Sequence, residues 1–145
     1  MPCEFQIAVD CADPHLLADW WAETLGWTVE QADADFIRRM VAEGYATEEE
    51  TFVRDGVLTW KSGAAIRHPD GQPSGPAGRI IFQQVPEPKT AKNRWHLDVS
   101  VGAKNVADRV RELTGRGATY LHDGQQGPHA WVTLADPEGN EFCVC

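Results

Sequence analysis

The sequence predicts an α+β fold of two βαβββ modules that pair into a curved mixed sheet, an open barrel with its helices outside. Three observations carry this expectation. The stretches 4–11 and 94–101 alternate polar with apolar residues, the period-two pattern of a strand with one face buried. Each runs into an amphipathic helical pattern, and a shift of 90 residues lays Leu16 on Val106, Trp20 on Val110 and Thr24 on Thr114, a weak internal repeat. Behind each helix come further short strand patterns, separated by turns rich in Gly, Pro and Asp.

The first module is expected over 1–93. Its opening strand, 4–11, puts Phe5, Ile7, Val9 and Cys11 on one face and Glu4, Gln6, Ala8 and Asp10 on the other. Asp13 supplies an N-cap carboxylate and Pro14 a preset φ, so a helix starts there and presents Leu16, Leu17, Trp20 and Trp21 to the core. It runs to Leu25, Gly26 caps it, and 27–30 is the next strand. Residues from about 31 to 56 break the plan as a helical insert: Phe36, Ile37, Met40 and Val41 recur at helical spacing, and Thr47 with Glu50 has the form of a capping box. Such an insert serves as a lid over a cavity or as surface decoration. Strands follow at 57–60, 64–68 and 79–85, with a loop at 71–78 and a linker at 86–93.

The second module, 94–145, repeats the plan compactly. A strand at 94–101 is followed by a helix at about 104–114 and a short strand at 119–122. Asp123-Gly124 is read as a turn, 130–134 as a strand, 136–140 as the last turn and 141–145 as the closing strand.

Composition sets limits on function. With 145 residues, 42% of them hydrophobic, the chain can build the core of one soluble domain. Its net charge of -9 and the absence of a Lys/Arg cluster argue against nucleic acid and anionic membrane, and favour a neutral or cationic ligand. No basic start leads into an apolar run and no long apolar stretch occurs, so neither a signal peptide nor a membrane span is expected, and the compartment expected is the cytoplasm. Cys3, Cys11, Cys143 and Cys145 are then reduced thiols.

The chemistry concentrates on the strand at 94–101. Its polar face offers Arg94, His96, Asp98 and Ser100 in a row, groups that bind or react, and we read it as the wall of a site, with Gln6 at the matching place of the first strand. Trp60, just beyond the insert, is the tryptophan expected to line a cavity as a stacking wall, and most of the others, Trp95 and Trp131 among them, should be core. Arg67 or Arg94 could hold a ligand carboxylate or phosphate. His68, His122 and His129 lie beside expected turns, where histidine is usually solvated.

The paired modules, the opening DCADPHLLADWWAETLGW and the closing DPEGNEFCVC resemble the vicinal-oxygen-chelate superfamily of glyoxalase I, bleomycin-resistance proteins, fosfomycin-resistance enzymes and extradiol dioxygenases. The AAIRHPDG segment and the FQQVPEPKTAKNRWHLDV linker resemble its glyoxalase-like branch common in actinobacteria. The resemblance covers nearly the whole chain and implies a small-molecule cavity bordered by Gln6, Gln83 or Gln84, His96, Asp98, Cys143, Trp60 and Arg94. It also implies a degenerate metal site. At the positions where relatives hold a divalent ion, this chain has Gln6, Gln83 or Gln84, His96 and Cys143, of which His96 alone is a standard ligand of the family. No cofactor is therefore obligatory, and should Zn, Ni, Mn or Fe be held, His96, Gln6 and Cys143 would hold it.

His96 has three readings: a pocket group hydrogen-bonding a ligand or Asp98, a metal ligand, or the partner of a Cys143 nucleophile. The expected function is binding of an organic ligand in the sheet cavity, by a resistance-type binder or a metal-independent enzyme. The alternatives are a metal-dependent lyase, isomerase or dioxygenase, and a pure interaction module with a filled barrel. Resemblance also implies a homodimer.

Overall fold

The computed structural model describes residues 1–71 and 75–145, so the centre of the expected loop at 71–78 lies outside the described residues. The chain forms two compact units, Met1–Pro86 and Glu87–Cys145. The α+β class with mixed sheets is as expected, but the strands form two four-stranded sheets and one two-stranded hairpin where a single curved sheet in an open barrel was expected.

In the first unit the sheet order is β1 (Ile7–Cys11), β6 (Arg79–Gln84), β5 (Gly63–Arg67), β2 (Thr28–Val29), with β1 parallel to β6 and the other pairs antiparallel. Helix α1 (Pro14–Leu25) packs on β5 and β6. Its start follows from the sequence: the Asp13 carboxylate accepts from the amides of His15 and Leu16, and Gly26 ends it in the left-handed conformation at φ 68°. Leu17, Trp20 and Trp21 are buried with Ile66, Ile80 and Phe82 of the sheet. Leu16 is 68% exposed, one position off the buried stripe, which corrects the expectation that it joins the core.

The insert is only partly helical. α2 (Ala34–Ala42) forms under an Asp33 cap and packs on β4 through the face of Ile37, and the Thr47–Glu50 capping box closes a single 3-10 turn. Thr51–Arg54, however, is a strand, β3, paired with β4 (Val57–Trp60) across Asp55-Gly56. Both turn residues have positive φ, 50° and 80°, the geometry that a two-residue hairpin demands and Asp-Gly supplies.

The second unit has the sheet order β7 (Asp98–Val99), β10 (Glu141–Val144), β9 (His129–Ala135), β8 (Thr119–Gln126). β7 is parallel to β10 and short by ladder count, although backbone bonds from Cys143 to Leu97 and from Val101 to Cys145 extend the pairing. Helix α3 (Val106–Gly115) buries Leu113, and Leu134, Phe142 and Val144 fill the same core. Trp95, expected inside, is 94% exposed, because regular pairing starts only beyond it.

Strand β8 is twice the expected length and carries a bulge between Tyr120 and His122. Asp123-Gly124 is therefore mid-strand and not a turn. A Cβ on Gly124 would stand 2.2 Å from Cε2 of Trp131, its cross-strand partner, so the glycine makes room for the indole. The closing turn is as the sequence suggests. Asp136 is 2% exposed and its carboxylate accepts from the amides of Glu138 and Asn140 and from the Asn140 side chain, fixing the approach to β10.

Candidate functional site

In the second unit, parallel pairing sets Cys143 of β10 directly beside Asp98 of β7, while His96 stands two residues before Asp98 on the same face. Antiparallel pairing sets Thr133 of β9 on the other side of Cys143, and His122 of β8 beyond Thr133. A polar row thus crosses the sheet: Asp98, Cys143, Thr133, His122. His96 Nδ1 lies 3.2 Å from Asp98 Oδ1, and the Cys143 thiol is 3.6 Å from the Thr133 hydroxyl. One ligating atom each of His96, Asp98 and Cys143 lies within 4.8 Å of the other two.

Burial, and with it the charge of neighbouring Asp98, pushes the Cys143 thiol above its ordinary range, although the Thr133 hydrogen bond pulls the other way. The reading of Cys143 as a ready thiolate nucleophile loses its basis, since that needs a lowered value. As donors toward a divalent ion the three groups do fit. They supply imidazole nitrogen, carboxylate oxygen and sulfur, a set suited to zinc-like ions, which would act there as Lewis acids.

The first unit contains a cavity of about 410 Å³. Its floor is the sheet face opposite α1, with Gly63, Ala65, Arg79 and Ile81, and its other wall is the β3–β4 hairpin, with Arg54, Val57, Thr59 and Trp60. Trp60 is among the residues that line this cavity. Two charged clusters flank the space. Glu30 accepts from Arg67 at 3.3 Å and from Arg79 at 2.5 Å, and Arg79 also donates to the Gln6 side-chain oxygen at 2.8 Å. On the side of α1, Arg54 pairs with Asp19 and donates to His15 Nδ1 at 3.0 Å, so His15 carries its hydrogen on Nε2 and donates it to the Trp60 carbonyl at 2.8 Å.

The remaining expected residues are placed as follows. Gln83 stands on the sheet face of Arg79 and Ile81, beside Asp10 and Gly63, whereas Gln84 donates to the Ala12 carbonyl. Gln6 lies just before β1, its amide oxygen taken up by Arg79, and Arg94 is exposed. The sequence reading missed Glu30, Arg79, His15, Asp19 and Arg54 around the cavity, and Thr133 and His122 in the polar row. Arg79 could have been found, since it opens a strand whose first position shares the face of Gln83.

Residues 6–145 match the family model described as the glyoxalase-like domain. The chain belongs to the glyoxalase-like domain family. Solved structures with this fold include a member of the glyoxalase/bleomycin resistance protein/dioxygenase family. This glyoxalase-like chain is similar to a possible glyoxalase from Bacillus cereus, at 12% identity and TM-score 0.61, with 99% of this chain and 98% of that one covered. It is similar also to the fosfomycin resistance protein of Mesorhizobium loti, at 7% identity and TM-score 0.62, covering 99% and 90%. A third is a glyoxalase/bleomycin resistance protein/dioxygenase family enzyme from Burkholderia phytofirmans, at 14% identity and TM-score 0.59, covering 96% and 94%. At such identities the likeness fixes the fold alone. No curated protein matches the sequence. Among the described residues, no helix is long and apolar enough to cross a membrane.

Proposed function

We propose that this glyoxalase-like protein binds a small organic molecule in the cavity of its first unit, as a resistance-type binder or an enzyme that needs no metal. The observation that carries this reading is the cavity itself. Its volume of about 410 Å³ lies in the range of small-molecule sites, and it combines an indole, aliphatic walls and a few placed charges. Glycine and alanine at 63–65 leave a flat floor, so a planar group can lie across it within reach of Trp60. Three acids, Asp19, Glu30 and Asp55, face two arginines, Arg54 and Arg79, among the lining side chains, which suits a neutral or cationic ligand better than an anion. Structural relatives named for resistance to fosfomycin and bleomycin make antibiotic-like molecules the first compounds to test.

The test is a thermal-shift screen of aromatic and cationic compounds, antibiotics included, repeated on Trp60→Ala. A compound that raises the parent's melting point should lose most of that effect in the variant, because ligand bound to the native state alone stabilises it. A shift undiminished in Trp60→Ala would refute this site. The second reading is a metal-dependent lyase, isomerase or dioxygenase, favoured by the grouping of His96, Asp98 and Cys143. A homodimer, the form implied by resemblance, would show as a doubled mass in light scattering.

A further inference from the structure

We infer that the cavity of the first unit takes an amphoteric molecule of the amino-acid type, with a carboxylate for Arg79 and a basic nitrogen for Asp55. The inference rests on the binding role proposed for that cavity and names the class of ligand.

Its ground is what the lining charges leave unfilled. Asp19, Glu30, Arg54, Asp55 and Arg79 all border the space. Asp19 and Arg54 pair with each other, and Arg54 also reaches His15. A single oxygen of Glu30, Oε2, accepts from both Arg67 and Arg79. Arg79 directs Nε to that oxygen and Nη1 to the Gln6 amide oxygen, while its Nη2 has no partner among the described residues. Nor is Nη2 sealed off, since no fully buried side-chain nitrogen among the described residues lacks a partner. Asp55 makes no hydrogen bond or ion pair among the described residues. One cationic donor and one anionic acceptor therefore stay open in one cavity. A molecule with one charge of each sign answers both and is neutral as a whole, as the lining favours.

Folding alone explains neither group. Arg67 and Arg79 stand directly opposite each other across β5 and β6, so they share a face, and like charges so placed repel. Both are largely withdrawn from water, at 14% and 21% side-chain exposure, with one carboxylate between them. Such a pair is a seat for a second carboxylate, which a guanidinium grips with two nitrogens. Gln6, a neutral acceptor, yields Nη1 to the charged one. Glu4 borders a separate hollow beside Arg79 and forms no ion pair with it. Asp55 does make the hairpin turn, at φ 50°, but asparagine or glycine turns the chain as well, so the fold asks for its shape and not its charge. Trp60 and the floor at 63–65 receive the apolar body of the guest.

Three probes at neutral pH separate the charges: L-phenylalanine carries both, 2-phenylethylammonium lacks the carboxylate, and 3-phenylpropionate lacks the ammonium. Ligand-observed NMR titration gives a dissociation constant for each on the parent, Arg79→Gln, Asp55→Asn and Trp60→Ala. L-Phenylalanine should bind the parent about tenfold or more tighter than either truncated probe, the worth of a charge-assisted hydrogen bond. Arg79→Gln should remove its advantage over 2-phenylethylammonium without weakening the latter, and Asp55→Asn its advantage over 3-phenylpropionate without weakening that. Trp60→Ala should weaken all three. Asparagine keeps the turn at 55; where circular dichroism finds Arg79→Gln unfolded, Arg79→Lys takes its place, and it should bind L-phenylalanine more weakly than the parent because it keeps the charge without the fork. Three probes bound alike and all weakened by Trp60→Ala would overturn the inference and leave the cavity reading standing. Binding of none of the three, or L-phenylalanine held equally well by the parent and either charge variant, also overturns it; the cavity reading falls only on a thermal shift undiminished in Trp60→Ala.

Discussion

Replacing Asp136 by alanine tests whether one buried carboxylate sets the geometry of β10. Its Oδ1 accepts from the amides of Glu138 at 2.9 Å and Asn140 at 3.0 Å, and the Asn140 side-chain nitrogen lies 3.1 and 3.0 Å from its two oxygens. Alanine leaves two backbone donors and one side-chain donor without this acceptor. An unsatisfied buried donor costs about 1–3 kcal/mol, and as these are only partly buried the loss should total about 3 kcal/mol. For a chain of this size each kcal/mol lowers the melting point by about 2–4 °C, so Asp136→Ala should melt roughly 6–12 °C below the parent. Asp136→Asn keeps one accepting oxygen but turns an amide nitrogen toward that of Asn140, and should lose about half as much. Scanning calorimetry gives both values, and hydrogen exchange at the Asn140 amide should speed up in the alanine variant. A melting point indistinguishable from the parent, or an asparagine variant worse than alanine, would refute the reasoning.

Gly124→Ala should lower stability by about 1–3 kcal/mol in urea titration, as overpacking does, since its Cβ must push the Trp131 ring aside; an unchanged midpoint would mean that the ring is not held there. Glu141 depends on pH. Burial alone would raise its pKa, but hydrogen bonds from Lys89 and the Asn93 amide outweigh that and hold it below the usual glutamate range. A depressed value means that its contribution is complete above the unfolded glutamate's pKa and fades as pH falls through the folded one. Glu141→Gln should therefore melt below the parent at neutral pH, with the gap closing in acid; a constant gap across pH counts against it. Because burial and Asp98 raise its pKa, metal-free Cys143 should alkylate with iodoacetamide more slowly at neutral pH than exposed Cys3, and faster in Asp98→Asn than in the parent, read by peptide mass spectrometry.

Helix α1 was legible because its signals are local: a carboxylate and a proline at one end, a glycine at the other, and Trp20 and Trp21 at helical spacing from Leu17 between them. The alternation of Ile7, Val9 and Cys11 gave the inward face of β1 for the same reason, but Phe5, expected on that face, precedes the strand and is 77% exposed. Where local signals compete, the reading failed. Glu48, Glu49 and Glu50 suggested helix and hid β3, although Asp55-Gly56 is the hairpin signal that should have revealed it. A second Asp-Gly pair, at 123–124, points the other way: that glycine serves an indole on the next strand, which nothing in its neighbourhood announces. The pairing of His96 with Asp98 follows from their spacing. That Cys143 joins them depends on the register of β7 against β10, strands 40 residues apart or more, and no short-range pattern carries it. Arg79 reaches Gln6 and Glu30 by the same kind of distant registration.

Fastening of the β3–β4 hairpin to α1 through Arg54, Asp19 and His15 has a consequence for selectivity. Under the binding role proposed for this cavity, a wall tied down at several points presents a guest with a shape already set and leaves little ordering to be done on entry. Discrimination between guests then comes from size and outline, and cutting the ties at Arg54 should broaden the range of molecules accepted while weakening the hold on each.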